Sequence, residues 1–191
     1  MLGGLPEAGD DADIGCEGGG AAKARRITDG GDDYIYNGED GRIFMNGDTI
    51  DLGGGDNLFV NEGKLYANGS SNIINMGYTS YGEGGYSYGL FVNNGSSIHM
   101  DDGAADDALT IIGDFSGTGD VNVDVNGATL SSDQLYIDGN VLAGTANTVN
   151  VNLLSLPSAA DMLAGETIGI VSVSGTSTAS NFALGSVNTT D

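Results

Sequence analysis

Residues 113–154 read GDFSGTGDVNVDVNGATLSSDQLYIDGNVLAGTANTVNVNLL, and residues 155–184 continue SLPSAADMLAGETIGIVSVSGTSTASNFAL. Val121, Val123 and Val125 alternate with Asn122 and Asp124, Leu135 and Ile137 flank Tyr136, and Val149, Val151 and Leu153 alternate with Asn150 and Asn152. A period of two with aliphatics on one side predicts strands half buried against a core. Between them lie Gly-Thr-Gly-Asp, Asn-Gly, Asp-Gly-Asn and Ala-Gly-Thr, residues that tolerate positive φ or bond their own backbone and so make tight turns. Pro157 to Leu163 reads as one helical turn, with Pro157 near its first position and Gly165 just past its end. Ile168, Ile170, Val171 and Val173 form the last strong strand, followed by Phe182 and Leu184. The expectation is an all-β chain that keeps turning.

Upstream, the same habit becomes a cadence. Taking Ile43, Ile50, Leu58, Leu65 and Ile73 as markers, the steps are 7, 8, 7 and 8 residues, so three steps make a unit of 22 or 23. That is the length of one coil of a three-sided parallel β-helix, in which each strand stacks on the same side of the coil before it. A β-sandwich, with longer connections and hairpin register, is the structural alternative. A single coil buries too little apolar surface to offset the ordering of its backbone, so coils must share a core and hydrogen-bond to their neighbours.

The chain divides into a leader at residues 1–28, expected to be disordered, coils over 29–112, and further coils over 113–191. Gly77 to Gly89, GYTSYGEGGYSYG, interrupts the coils. Its tyrosines Tyr78, Tyr81, Tyr86 and Tyr88 are candidate ligand contacts, since Tyr offers rigid area with a polar tip. The plainer reading is a loop that folds back and covers the edge of a coil.

Composition excludes several classes of function. The 191 residues carry 27 acids against five Lys and Arg, a formal charge of -22, and no Lys or Arg follows Lys64. Nothing neutralises phosphates, which excludes nucleic acid as a partner and argues against docking on anionic lipid. Cys16 is the single cysteine, so no intramolecular disulfide forms. No segment reads as a membrane-spanning helix.

His99 is the only histidine, and between Ile98 and Met100 it reads as the outward, solvated residue of a strand rather than part of a Ser-His-Asp triad. Zinc lacks nitrogen and sulfur ligands. Acids at glycine corners, including Asp101, Asp102, Asp106 and Asp107, leave two chemistries open. One is a calcium-stabilised repeat with Asp102, Asp106 and Asp107 as ligands, calcium being the one cofactor in play. The other is a glycan-cleaving β-helix using paired acids. Turn-forming acids that keep the surface soluble account for the same residues, and the reading taken from the sequence is that the chain is not an enzyme.

Gly113-Asp114-Phe115-Ser116-Gly117, the SDQLYIDG box at residues 132–139, Gly144-Thr145 with Val149-Asn150-Val151, and residues 169–173 with Phe182-Ala183-Leu184 resemble, in this order, the C-terminal, barrel-proximal part of autotransporter passenger domains. The resemblance runs from Gly113 to Leu184 and leaves the rest of the chain uncovered. It implies a right-handed, single-stranded parallel β-helix, exported through a C-terminal outer-membrane barrel of the full-length protein and displayed at the surface of a Gram-negative cell or secreted. The passenger would act as a stem with adhesive or self-associating contacts to a host surface or to itself. The family's protease motifs are absent here, and the resemblance assigns no functional residue.

Overall fold

The structure, a computed structural model, describes residues 13–16, 21–23, 30–81 and 85–189. The chain begins with β1 (Asp13–Cys16) and β2 (Ala21–Lys23). It continues with β3 (Tyr34–Asn37), β4 (Arg42–Asn46) and β5 (Thr49–Asp51), and then with β6 (Leu58–Asn61), β7 (Lys64–Asn68) and β8 (Asn72–Asn75). An insertion holds β9 (Tyr78–Tyr81) and β10 (Gly85–Tyr88). The order resumes with β11 (Leu90–Asn93), β12 (Ser97–His99) and β13 (Ala108–Ile112), followed by β14 (Asp114–Gly117), β15 (Asp120–Asn126), the short β16 (Ser131–Ser132) and β17 (Gln134–Asp138). Last come β18 (Asn147–Ser155), α1 (Ala159–Ala164), β19 (Val171–Val173) and β20 (Phe182–Thr189).

These strands deal themselves into three sheets. The first runs β1-β3-β6-β11-β14, the second β2-β4-β7-β12-β15-β18-β20, and the third, read from its other end, β5-β8-β13-β17-β19. Every neighbouring pair along these three paths is parallel, and each strand lies beside its counterparts one coil earlier and one coil later. This all-β arrangement of long parallel sheets is consistent with a β-helix or solenoid. Asn37 faces Asn61 and Arg42 faces Lys64, in each case a residue and its counterpart one coil further along. Pairing runs unbroken across Gly113, through β11 with β14, β12 with β15, and β13 with β17.

One apolar cluster fills the space between the sheets. In the first sheet Ile35, Phe59, Phe91 and Phe115 stand in register, with ring centroids 4.9 Å apart for Phe59–Phe91 and 5.6 Å for Phe91–Phe115. The second sheet supplies Ile43, Leu65, Ile98, Val121 and Val149, and the third Ile50, Ile74, Ile111 and Ile137, all buried. Full burial of each such side chain contributes roughly 2 kcal/mol, and the ring pairs, one tilted and one stacked, add about 1 kcal/mol each. The sequence markers Leu58 and Ile73 point outward, while their neighbours Phe59 and Ile74 point in. The last strand differs: Leu184, opposite buried Val149, is 69% exposed.

Three expectations are changed or refined. Within the stretch expected to be a disordered leader, Asp13–Cys16 and Ala21–Lys23 are strands that extend the first and second sheets in register with β3 and β4. Parallel edges offer backbone partners to any extended segment, so a Gly- and Ala-rich composition does not preclude pairing. The rest of residues 1–28 lies outside those described. The Tyr/Gly stretch folds back on itself in a regular way, β9 and β10 pairing antiparallel as a separate two-stranded hairpin. Its base is closed by the Gly89 N–H donating to the Gly77 carbonyl at 3.2 Å. A Cβ on Gly89 would lie 2.2 Å from the Met76 carbonyl oxygen, so only glycine lets the chain re-enter the coil there. The helical turn is present, but Ser158 rather than Pro157 starts it. Ser158 and Asp161 bond reciprocally as a cap, and Gly165, at φ +71°, ends it.

Candidate functional site

The outward face of the second sheet carries a row in register: Phe44, Tyr66, His99, Asn122 and Asn150. Strand alternation sends Ile98 and Met100 into the core, so Ser97, His99 and Asp101 share the outward face. The Ser97 Oγ is 2.9 Å from His99 Nε2, and His99 Nδ1 is 2.9 Å from an oxygen of Asp101. The imidazole stacks on Tyr66, centroids 4.9 Å apart, and Tyr66 stacks on Phe44 at 4.7 Å. The His99 side chain is 22% exposed and that of Asp101 36%. His99 is therefore outward, as its neighbours in sequence required, but bonded on both ring nitrogens rather than solvated. The missed signal was Ser-x-His-x-Asp, whose spacing of two puts all three on one face of any strand.

A second constellation lies at the corner between the second and third sheets. Asp107 and Asp133, just before β13 and β17, are buried, as is Asp124 on β15. Asp133 accepts the backbone N–H of Asp107 at 3.0 Å and that of Asp124 at 2.7 Å. Asp124 accepts the Gly103 N–H at 2.6 Å and the Asn152 amide at 2.5 Å. Asp107 accepts the Gly69 N–H through Oδ1, while its Oδ2 has no partner among the described residues. Burial pushes the Asp107 carboxyl up to about 6, with Asp102, Asp106 and Asp124 adding repulsion and the Gly69 N–H opposing. Burial also raises Asp133 to about 7, opposed by its two N–H donors and reinforced by Asp107 and Asp124. Asp124 is raised by the same cause.

No family model, curated protein or solved structure matches this chain.

The acids singled out for calcium are not brought together. Asp102 and Asp106 are exposed, Asp102 accepting the N–H of Ala104, while Asp107 turns into the corner. Among the described residues no three His, Cys, Asp or Glu side chains converge as a metal ion requires. On the hairpin, Tyr78 and Tyr88 are opposite each other and 57% and 41% exposed. The side chains of Tyr81 and Tyr86 lie outside those described. No helix among the described residues is long and apolar enough to cross a membrane.

The corner between the first and second sheets was not foreseen either. The Asn37 amide donates to Asn61 Oδ1 at 2.6 Å, Asn61 to Asn93 at 3.0 Å, and Asn93 to Asn147 at 3.3 Å, all buried. Gly117 occupies the rung between Asn93 and Asn147, where a Cβ would sit 2.1 Å from the Asn93 carbonyl oxygen. Its bare backbone lets the two amides meet. The signal was the repeat YIYN, LFVN, LFVN at residues 34–37, 58–61 and 90–93, each ending on the ladder asparagine.

Proposed function

We propose that the coils close into a right-handed parallel β-helix and that this chain serves as the stem of a surface-displayed or secreted, autotransporter-like protein. The observation that carries this reading is the registration of three parallel sheets around one core, with a buried amide ladder at the corner between the first two. Such a stack is stiff along its axis because each coil is bonded to the coils above and below. Its acid-rich surface resists nonspecific association. The β9–β10 hairpin, with Tyr78 and Tyr88 exposed, is the natural point of contact with a host surface or a second copy.

Export tests the stem. The chain is fused between a signal peptide and an outer-membrane barrel, and protease is added to intact Gram-negative cells. Loss of the passenger while the barrel persists is the expected result. A passenger that stays protected while the barrel inserts would contradict display. Sedimentation of the purified chain tests the hairpin separately: self-association that disappears when Tyr78 and Tyr88 are replaced by Ser supports the contact role, and a monomer at all concentrations removes self-association from the reading.

A further inference from the structure

We propose that Ser97, His99 and Asp101 form a hydrolytic site on the outward face of the second sheet, acting on a small, uncharged acyl ester. The stem reading assigns this face no reaction, and the site does not depend on it.

A carboxylate only accepts hydrogen bonds, so the 2.9 Å contact from Asp101 places the imidazole proton on Nδ1. Nε2 of the neutral ring is then a bare acceptor, and the Ser97 hydroxyl 2.9 Å away donates to it. That is the order of nucleophile, general base and orienting acid used in acyl transfer. The ring is held by Tyr66 on one side, with Asn122 on the next rung at the other. Exposed Lys64 is the register neighbour of Ser97 on β7, and parallel strands lie about 4.8 Å apart, so its ammonium can reach an oxyanion forming at Ser97. Asp120 borders Ser97 on the other side and disfavours an anionic substrate.

The reaction balances without any added group. The Ser97 Oγ attacks the ester carbonyl carbon while its proton passes to Nε2. The tetrahedral adduct collapses, the carbon–oxygen bond to the alcohol breaks, and the alcohol leaves with the proton from Nε2. Water then attacks the acyl-Ser97, its proton passing to Nε2 and back to Ser97 Oγ as the carboxylic acid departs.

The test uses the full chain with p-nitrophenyl acetate and, separately, a fluorophosphonate ester followed by peptide mass mapping. The expected results are a burst approaching one equivalent of nitrophenolate and a single phosphonyl adduct on Ser97. Ser97→Ala should abolish both. Asp101→Asn should slow acylation by about tenfold or more with the adduct still on Ser97, and Lys64→Ala should do likewise. Because these side chains face outward, unchanged circular dichroism establishes that each variant folds. Absence of an adduct on Ser97 in the unmodified chain, or equal turnover by the unmodified chain and Ser97→Ala, which would leave His99 acting as a simple imidazole base, overturns the proposal.

Discussion

Two corners of the same stack are sealed with different chemistry. Between the first and second sheets Asn37, Asn61, Asn93 and Asn147 form a chain of amides. Between the second and third, each coil instead presents a side-chain oxygen to a backbone N–H of the coil before: Asn72 to Gly47, Asp107 to Gly69, and Asp133 to Asp107. An amide both donates and accepts, so identical residues stack indefinitely and none titrates. A carboxylate only accepts, so acids cannot bond to one another without a proton, and burial makes the charged form unfavourable. The first corner is expected to be indifferent to pH and the second governed by it.

Of the single substitutions, breaking the amide ladder should have the largest effect. Asn61→Ala removes the acceptor for Asn37 and the donor to Asn93 and Ser96, while Asn37 keeps its bond to the Lys64 carbonyl and Asn93 its bond from Ser96. At about 1 kcal/mol for each of the three lost bonds, the loss in unfolding free energy should reach about 3 kcal/mol, measured by urea titration and equal at pH 5 and pH 8. A loss that changed with pH would erase the contrast between the corners.

The second corner is read in the response of the unmodified chain to pH. Asp107 and Asp133 titrate higher in the folded state, at about 6 and about 7, than carboxyls of an unfolded chain at about 4. The folded state therefore holds protons that the unfolded state has released. Their contribution is fully present below pH 4 and is lost as pH rises through 6 and 7. Thermal melts should show a falling midpoint from pH 4 to pH 8. A midpoint that rises over that range would contradict the protonated corner.

Two substitutions sharpen the comparison. Asp107→Asn replaces the unpartnered oxygen with an amide nitrogen and removes the charge, so the variant should melt higher than the parent at pH 8 and close to it at pH 5. Asp133→Asn sets its amide nitrogen against one of two N–H donors and should melt lower at pH 5, where the charge matters least. The smallest effect belongs to the hairpin. Replacing residues 79–87 by Asn-Gly keeps a two-residue turn between Tyr78 and Tyr88 and should change unfolding free energy by no more than about 0.5 kcal/mol, since among the described strands β9 and β10 pair only with each other.

The parallel, three-sheet arrangement was legible because strict alternation, as in residues 121–125 and 149–151, fixes which side chains face the core. It gave no help where apolar residues adjoin. Leu58-Phe59-Val60 and the pair Ile73-Ile74 state no parity of their own, so the sequence did not tell that Leu58 and Ile73 face outward while Phe59 and Ile74 face in. The hairpin was hidden because Gly and Tyr report bends and surface area but not the pairing of Tyr78 with Tyr88. The buried acids were hidden for another reason. Asp101, Asp102, Asp106 and Asp107 read as one solvated run, and only the neighbouring coil decides that Asp107 turns in toward Gly69 while Asp102 and Asp106 stay out. His99 was placed correctly as an outward strand residue, yet the bonds to Ser97 and Asp101 depend on rotamers that a sequence does not state.

Like-directed strands stacked one above another underlie both the fold and the proposed stem, and a distance along the second sheet tests this most directly. Phe44, Tyr66, His99, Asn122 and Asn150 occupy five successive rungs, so Phe44 and Asn150 are separated by four strand spacings, or about 19 Å. With Cys16 replaced by Ser and nitroxides attached at Phe44→Cys and Asn150→Cys, pulsed electron resonance should return one narrow distribution near that value. A distribution centred at more than one and a half times that separation, or one with several separate maxima, would contradict the stack.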